Sequence, residues 1–253
     1  MKNRFNFLGV IVLAAIIGFS MAAIPAIAQN YIPETDLLFR RTEDNLGVII
    51  TGYKGNALPG NNTPVNIPPD IRGLPVVEIG EFAFLNKLFG ANVIIPGSVA
   101  TIGNSAFSDC FLRSVTISNG VTTIGSGAFA GNHLVNVTIP NSVVTIGAGA
   151  FRNNRLASIT ISANVTTIGD SAFNDNRLVS VIIPDSVTTI GASAFRNNQL
   201  TSITIGNDVN LGISTIGKQY DATAFPGNFD RVYQEANRKA KTYNNIGGSW
   251  DEW

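Results

Sequence analysis

The sequence is poor in the residues that most site chemistry needs. Its 253 residues include one cysteine and one histidine, Cys110 and His133. Multi-ligand zinc and iron–sulfur sites draw on these two types, so most such sites are excluded, as is any disulfide within the chain. Charged residues are 13% of the chain, about half the usual quarter. Lys plus Arg and Asp plus Glu each number 17, which leaves no basic excess to attract nucleic acid. At 45% hydrophobic with so little charge, the chain has the composition of one that buries a core.

Long apolar runs are scarce too, and the one that exists lies at the N-terminus. Lys2 and Arg4 precede an uncharged run from Phe5 to Ile24, which exits through Pro25-Ala26-Ile27-Ala28. A positive start, an apolar middle and an A-x-A exit predict a secretory signal peptide over residues 1–28. About 20 apolar residues can also span a bilayer as a retained anchor, but an anchor has no need of the small-residue exit. No cysteine at the junction can take a lipid, and no second spanning segment or C-terminal sorting signal is present. Cleavage leaves 15 Lys plus Arg against 17 Asp plus Glu, a net charge of −2. The expected product is exported (periplasmic, secreted or held at the cell surface) with no membrane span after signal cleavage. A lone cysteine suits an oxidising compartment, because it has no partner in the chain to mispair with.

Glycine (25 residues) and phenylalanine (15) are plentiful, and both recur periodically. The pair Ile-Gly begins at Ile79, Ile102, Ile124, Ile146, Ile168, Ile190 and Ile216, with steps of 23, then 22 four times, then 26. The unit reads I-G-x-x-A-F-x-x-N-x-L-x-x-V-x-I-P-x-x-V-T-T. A fixed period of this length is the mark of a repeat architecture. In L-x-x-V-x-I, seen at Leu156, Ile159 and Ile161, alternate side chains of a short strand reach one face. Val165 and Ile168 form a second apolar stretch beyond a turn. Gly169 stands in a glycine column, which implies positive φ or a close backbone approach. Ala172 and Phe173 fill the interior, small beside large. No unit can bury these six or seven apolar side chains alone, so neighbours must stack.

Asn132, Asn154, Asn176 and Asn198 form a second column, three residues after the phenylalanine. Such a column can pair the backbone groups that a bend leaves open, turn after turn. Cys110 takes the same slot in an earlier unit, as a small residue that tolerates burial.

The run VTTIGSGAFAGNHLVNVTIPNSV, from Val121 to Val143, resembles the BspA-like leucine-rich repeats of bacterial surface antigens, and the likeness extends from about Val65 to Gly217. It implies a repeat solenoid, a right-handed superhelix with one short parallel strand per 22-residue unit, here supplied by L-x-x-V-x-I. It also implies export and adhesion to host matrix proteins or to other bacteria. A parallel β-helix is the rival architecture at this period. Solenoid ends need caps. Upstream, residues 29–64 form the N-terminal cap, in which Leu37–Arg41 and Val48–Thr51 make a β-hairpin around Asp44-Asn45-Leu46-Gly47. The solenoid covers residues 65–217. Residues 218–253 form the C-terminal cap and tail, with a helix over 228–241 whose Phe229, Val232, Tyr233, Ala236 and Ala240 recur at helical spacing. Trp250 either packs on that cap or hangs free.

Catalysis is not expected, and no cofactor is. His133 shares a variable column with Phe111, Arg155, Arg177 and Gln199, and no serine elbow or column of acids accompanies it. Two other classes remain. One is a binding and adhesion scaffold for a protein or glycan outside the cytoplasm; the other is a structural, self-associating envelope part. Two surfaces are candidates for the first. Thr138 and Thr160 lie in a flat, hydroxyl-rich strand face, with Thr116, Ile182 and Thr204, that lacks the aromatic and Arg anchors of tight interfaces. Strand propensity alone also selects such a ladder. Arg152, Arg155, Arg177 and Arg196 follow the phenylalanines and line one ridge at roughly 5 Å per turn. That ridge is either a solvated loop edge or a docking strip for an acidic protein segment or sulfated glycan, for which Arg supplies bidentate geometry.

Overall fold

In the computed structural model the described residues are 31–55, 64–88, 90, 92–212, 229, 233, 238–239, 241–246 and 249–252. The expected signal peptide lies outside them, as do residues 56–63 of the N-terminal cap.

The repeat forms a parallel β-solenoid in which each turn carries two short strands rather than one. The T-I-G segment supplies the first. Thr101–Ile102, Thr123–Ile124, Thr145–Ile146, Thr167–Ile168 and Thr189–Ile190 pair in parallel, threonine opposite threonine and isoleucine opposite isoleucine. Every isoleucine points inward and is fully buried. Each following glycine donates its N–H to the isoleucine carbonyl one turn back, at 2.8 Å for Gly125, Gly147, Gly169 and Gly191. Of the two roles the sequence allows the glycine column, close approach is the one realised. A Cβ on Gly147 would stand 2.6 Å from backbone atoms of Gly125 and Ser126, and its φ is not positive.

The L-x-x-V-x-I segment supplies the second strand: Asn92–Ile95, Ser114–Ile117, Asn136–Thr138, Ser158–Thr160, Ser180–Ile182 and Ser202–Ile205. Between the two ladders lies a column of six phenylalanines, Phe84 to Phe195, each fully buried. Their rings stack with centroids 5.0–5.5 Å apart, which sets the height of a turn. Ile146, Ala150, Phe151, Leu156, Ile161 and Val165 are buried from a single turn. Full burial of each large side chain favours folding by about 1.5–3 kcal/mol before the entropy of ordering the chain is counted.

Two further columns shape the bends, and both are left-handed. Ser105, Gly127, Gly149, Ser171 and Ser193 have φ between 49° and 61°; Asp109, Gly131, Asn153, Asp175 and Asn197 have φ between 54° and 65°. Asn, Asp and Gly tolerate this region because a small or locally bonding side chain avoids the carbonyl clash. The alternation of those residue types was the readable signal of the second column.

The N-terminal hairpin forms as expected, Leu37–Arg41 antiparallel to Val48–Tyr53, with Asn45 at φ 60° in the turn. It continues the T-I ladder through a parallel pairing with Leu74–Ile79, and the Tyr53 ring meets Phe84 at 6.0 Å. At the other end the seventh ladder step is Asn210–Leu211, with Gly212 in the glycine column. It comes 21 residues after Ile190, earlier than Ile216-Gly217, which lies outside the described residues. The expected helix over 228–241 also lies largely outside them. Of its span, the described Phe229 and Tyr233 are helical; beyond it the cap adds strands, with Lys241–Ile246 antiparallel to Ser202–Ile205 and to Ser249–Glu252. Arg238, at φ 55°, has already left helical geometry before Lys241. Trp250 packs rather than hanging free; it is buried with Phe229, Tyr233 and Tyr243.

Candidate binding edge

The asparagine ladder is the spine of the edge that carries the arginines. Asn132 accepts the N–H groups of Cys110 and Leu112 at 3.1 and 2.9 Å, and its amide donates to Phe107 O and Phe129 O. Asn154, Asn176 and Asn198 repeat this, accepting from Leu134, Leu156 and Leu178 and donating to phenylalanine carbonyls of their own and the preceding turn. Cys110 fits the slot by donating its thiol to Phe84 O at 2.9 Å. Burial pushes that thiol up to about 12, so it is a structural group rather than a nucleophile.

The arginines sit on both sides of this spine. Arg152 and Arg196 follow the phenylalanines; Arg155 and Arg177 follow the asparagines, where they are exposed. Arg152 pairs with Asp175 at 3.7 Å, and Asp175 also accepts from Asn197 at 2.7 Å. The ridge is therefore two columns separated by a buried row. Arg155 and Arg177 occupy successive turns in one column and carry no ion pair among the described residues. Arg152 is partly neutralised.

Sequence reasoning passed over Arg113. With Arg152, Arg155, Arg177 and Arg196 it completes the Lys and Arg content of residues 92–212. All five lie on the arc between the phenylalanine column and the second strand. That segregation was countable in the sequence once the columns were aligned. Arg113 and Arg155 flank His133, whose pKa is lowered first by desolvation and then by these two guanidiniums. The Phe111 ring, 49% exposed, meets the imidazole edge-on at 5.5 Å. Phe111 also holds φ 59°, a strained value for an aromatic residue. Burial and the two guanidiniums thus disfavour the charged imidazolium at this position.

Thr138 and Thr160 are backbone partners in adjacent turns, and both are exposed. Ile182 stands in the same row, as the sequence indicates, at 69% exposure. Among the described residues no group of three or more His, Cys, Asp or Glu gathers to hold a metal ion. None of their helices is long and apolar enough to cross a membrane.

The BspA-type leucine-rich repeat region is matched in six copies over residues 77–202. The chain belongs to the BspA-type leucine-rich repeat family. Solved structures share the BspA-type solenoid. A leucine-rich cell surface protein from Faecalibacterium prausnitzii is 24% identical with TM-score 0.51, over 87% of this chain and 59% of its own. The leucine-rich repeat protein of T. pallidum is 25% identical with TM-score 0.51, over 81% and 95%. The pneumococcal vaccine antigen PcpA is 20% identical with TM-score 0.60, over 72% and 52%. The BspA-type chain described here thus spans little more than half the length of the Faecalibacterium and pneumococcal proteins. No curated protein matches the sequence.

Proposed function

We propose that this chain is an exported, non-catalytic binding and adhesion scaffold that engages a protein or glycan on a host or bacterial surface. The signal-type segment 1–28 exports it, and residues 29–64 and 218–253 cap the repeat array. The binding residues are Arg152, Arg155, Arg177 and Arg196 on the edge, with Thr138 and Thr160 on the adjoining strand face. The observation that carries the reading is the gathering of every arginine of residues 92–212 on one arc of a 22-residue turn, where two successive ones, Arg155 and Arg177, are exposed and carry no ion pair among the described residues. That one structural relative is a cell surface protein and another a vaccine antigen supports an extracellular setting.

The test is a pull-down with residues 29–253 from host matrix and bacterial-surface extracts, repeated with Arg155→Ala and Arg177→Ala combined. A retained partner that is lost on mutation and released by salt supports the edge, since exposed charges are screened beyond about 8–10 Å at physiological ionic strength. A partner indifferent to both moves the site to the threonine face. Ser249–Glu252, the last strand of its sheet among the described residues, favours a second reading, self-association in an envelope assembly. A concentration-dependent oligomer in light scattering supports it, and a strict monomer removes it.

A further inference from the structure

We infer that the arginine edge binds an extended acidic protein segment in which carboxylate and aliphatic side chains alternate, lying along the stack axis between two exposed columns. This rests on the scaffold reading above and gives it a ligand class and a fuller set of residues.

The first column is Phe111, His133, Arg155 and Arg177; the second is Arg113, Val135, Ala157 and Val179. Between them runs a floor of buried leucines, Leu112, Leu134, Leu156 and Leu178. The backbone of that floor is already satisfied. Leucine N–H groups go to asparagine oxygens, and leucine carbonyls accept from His133, Arg155, Arg177 and Gln199 at 2.8–3.0 Å. A partner therefore cannot add as another strand there, and recognition must come from side chains on the two columns.

Those columns differ in chemistry. The first presents Arg155 and Arg177, with the Arg113 guanidinium acting on His133 from the neighbouring turn. None of the three arginines has an ion pair among the described residues. The nearby acids are engaged elsewhere: Asp175 with Arg152 and Asn197, and Asp109 with the Ser108 hydroxyl at 2.8 Å. After Arg113 the second column is aliphatic, with Val135 and Val179 exposed by 46% and 48%. Phenylalanine spacing sets 5.0–5.5 Å per turn, so the strip from residue 113 to residue 177 is roughly 16 Å long. An extended chain rises about 3.4 Å per residue and sends alternate side chains to opposite sides. About five residues cover the strip, with carboxylates to the arginine column and aliphatic groups to the valine column. Arginine binds carboxylate in a bidentate fork. A sulfated glycan would meet the cations but leave the valine column unanswered, and the strip offers no tryptophan or tyrosine face to a sugar ring.

The experiment titrates residues 29–253 with a labelled seven-residue peptide alternating Glu and Val. A block peptide of the same composition and a heparin oligosaccharide serve as competitors. The alternating peptide is expected to bind about tenfold more tightly than the block peptide and to weaken as salt rises. Arg155→Ala with Arg177→Ala should weaken it about tenfold, and Val135→Ser with Val179→Ser about fivefold. Arg40→Ala with Arg41→Ala, which removes two exposed cations of the N-terminal hairpin away from the edge, should leave it unchanged, and unaltered circular dichroism shows that each variant is folded. Equal binding of the block peptide, preference for heparin, or loss of binding through Arg40 and Arg41 instead would each overturn the proposal. So would failure of the peptide to bind, while a partner recovered in the pull-down would leave the scaffold reading standing.

Discussion

The two parallel ladders come from one 22-residue unit, yet one is continuous and the other is not. The T-I ladder runs unbroken from the N-terminal hairpin to Asn210–Leu211. The second ladder falls into separate sets: Asn92–Ile95 pairs with Ser114–Ile117, Asn136–Thr138 with Ser158–Thr160, and Ser180–Ile182 with Ser202–Ile205. The difference lies in the residue that follows each strand. After the T-I strand it is always glycine, which brings backbones together and supplies an N–H to the turn before. In the second segment the residue after the closing isoleucine (Ile95, Ile117, Ile139, Ile161, Ile183, Ile205) alternates instead: Pro96, Ser118, Pro140, Ser162, Pro184, Gly206. Ser118 donates to Ile95 O at 3.2 Å. Pro140 and Pro184 have no N–H to offer Ile117 and Ile161, and the ladder breaks at those two places. The glycine side fixes the stack. The proline side, with the threonines and the adjoining arginines, is left freer to vary in side chain.

The deepest test strikes what both ladders share. Phe151→Ala, in the middle of the ring stack, should cost about 3–5 kcal/mol. Because each turn contacts only its neighbours, it should also uncouple the N- and C-terminal halves into two unfolding transitions. Urea denaturation followed by circular dichroism reads both effects, and a curve superimposable on wild type would contradict the core assignment.

Gly147→Ala attacks the continuous ladder alone. The added methyl would meet backbone rather than a yielding side chain, 2.6 Å from Gly125 C and Ser126 N, so the turns must part. The expected cost is about 3 kcal/mol. Gly149→Ala makes a useful contrast: it sits at φ 60° with the Arg152 Cβ its only near neighbour, at 3.8 Å, and should lose about 1–2 kcal/mol through conformation alone. Equal melting temperatures for the two would deny the glycine column its packing role.

Between the ladders, Asn154→Ala leaves Leu134 N–H without its partner and takes one of two amide donors from each of Phe129 O and Phe151 O, which keep Asn132 and Asn176. An orphaned buried group costs about 1–3 kcal/mol, so a loss of about 1–3 kcal/mol is expected. Asn154→Asp retains the acceptor but faces carbonyls with no donors when ionised, so its stability should rise as pH falls and the carboxyl gains a proton. A pH-independent Asn154→Asp variant would argue against an amide whose Nδ2 faces the two phenylalanine carbonyls.

Much of this was legible in the sequence because the columns have simple physical meanings. Phe151, Ile146 and Leu156 had to be interior because no single unit could bury them, and Asn154 had to serve the bend because a buried amide needs partners. The T-I strand of each turn was harder to read: a two-residue segment is too short to show alternation. The true seventh step was hidden because Leu211-Gly212 departs from Ile-Gly, while the better match at Ile216-Gly217 drew the eye. The C-terminal strands escaped because Lys241–Ile246 and Ser249–Glu252 lie outside the repeat and share none of its columns. Of the candidate edge, Arg155 and Arg177 were readable as a column. Arg113 and the valines beside it emerged only when the turns were stacked, since they fall in a different column of the repeat.

A smaller effect separates Cys110 from its asparagine column. Its pKa is raised by burial from 9.0 to about 12, so the folded state holds the neutral thiol while the unfolded chain ionises above about 9. That preference stabilises the fold fully below pH 9 and is lost as pH rises toward 12, by about 1.4 kcal/mol per pH unit. Burial also raises Tyr233 and Tyr243, which adds to the alkaline loss. Cys110→Ala should be less stable than wild type at pH 8 and narrow that gap by pH 10.5. A constant gap in denaturation midpoints across this range would show that the thiol does not titrate on unfolding.

The smallest expected effect tests the comparison most directly. Ser118→Pro removes the N–H that reaches Ile95 O and should open the first paired set, at about 1 kcal/mol. Pro140→Ala does the reverse by supplying an N–H opposite Ile117 O. That gain of about 0.5–1.5 kcal/mol is set against the freedom the unfolded chain recovers when proline is lost, about 0.4–1 kcal/mol. Net stability should therefore stay within about 1 kcal/mol, and the informative reading is amide exchange. In Pro140→Ala the Ile117 and Val137 amides should exchange more slowly, as the gap between Ser114–Ile117 and Asn136–Thr138 closes. In Ser118→Pro the amides of Asn92–Ile95 should exchange faster. If exchange in both regions stayed as in wild type, proline placement would not be what divides the second ladder, and the contrast would have to come from twist between turns rather than from the missing N–H.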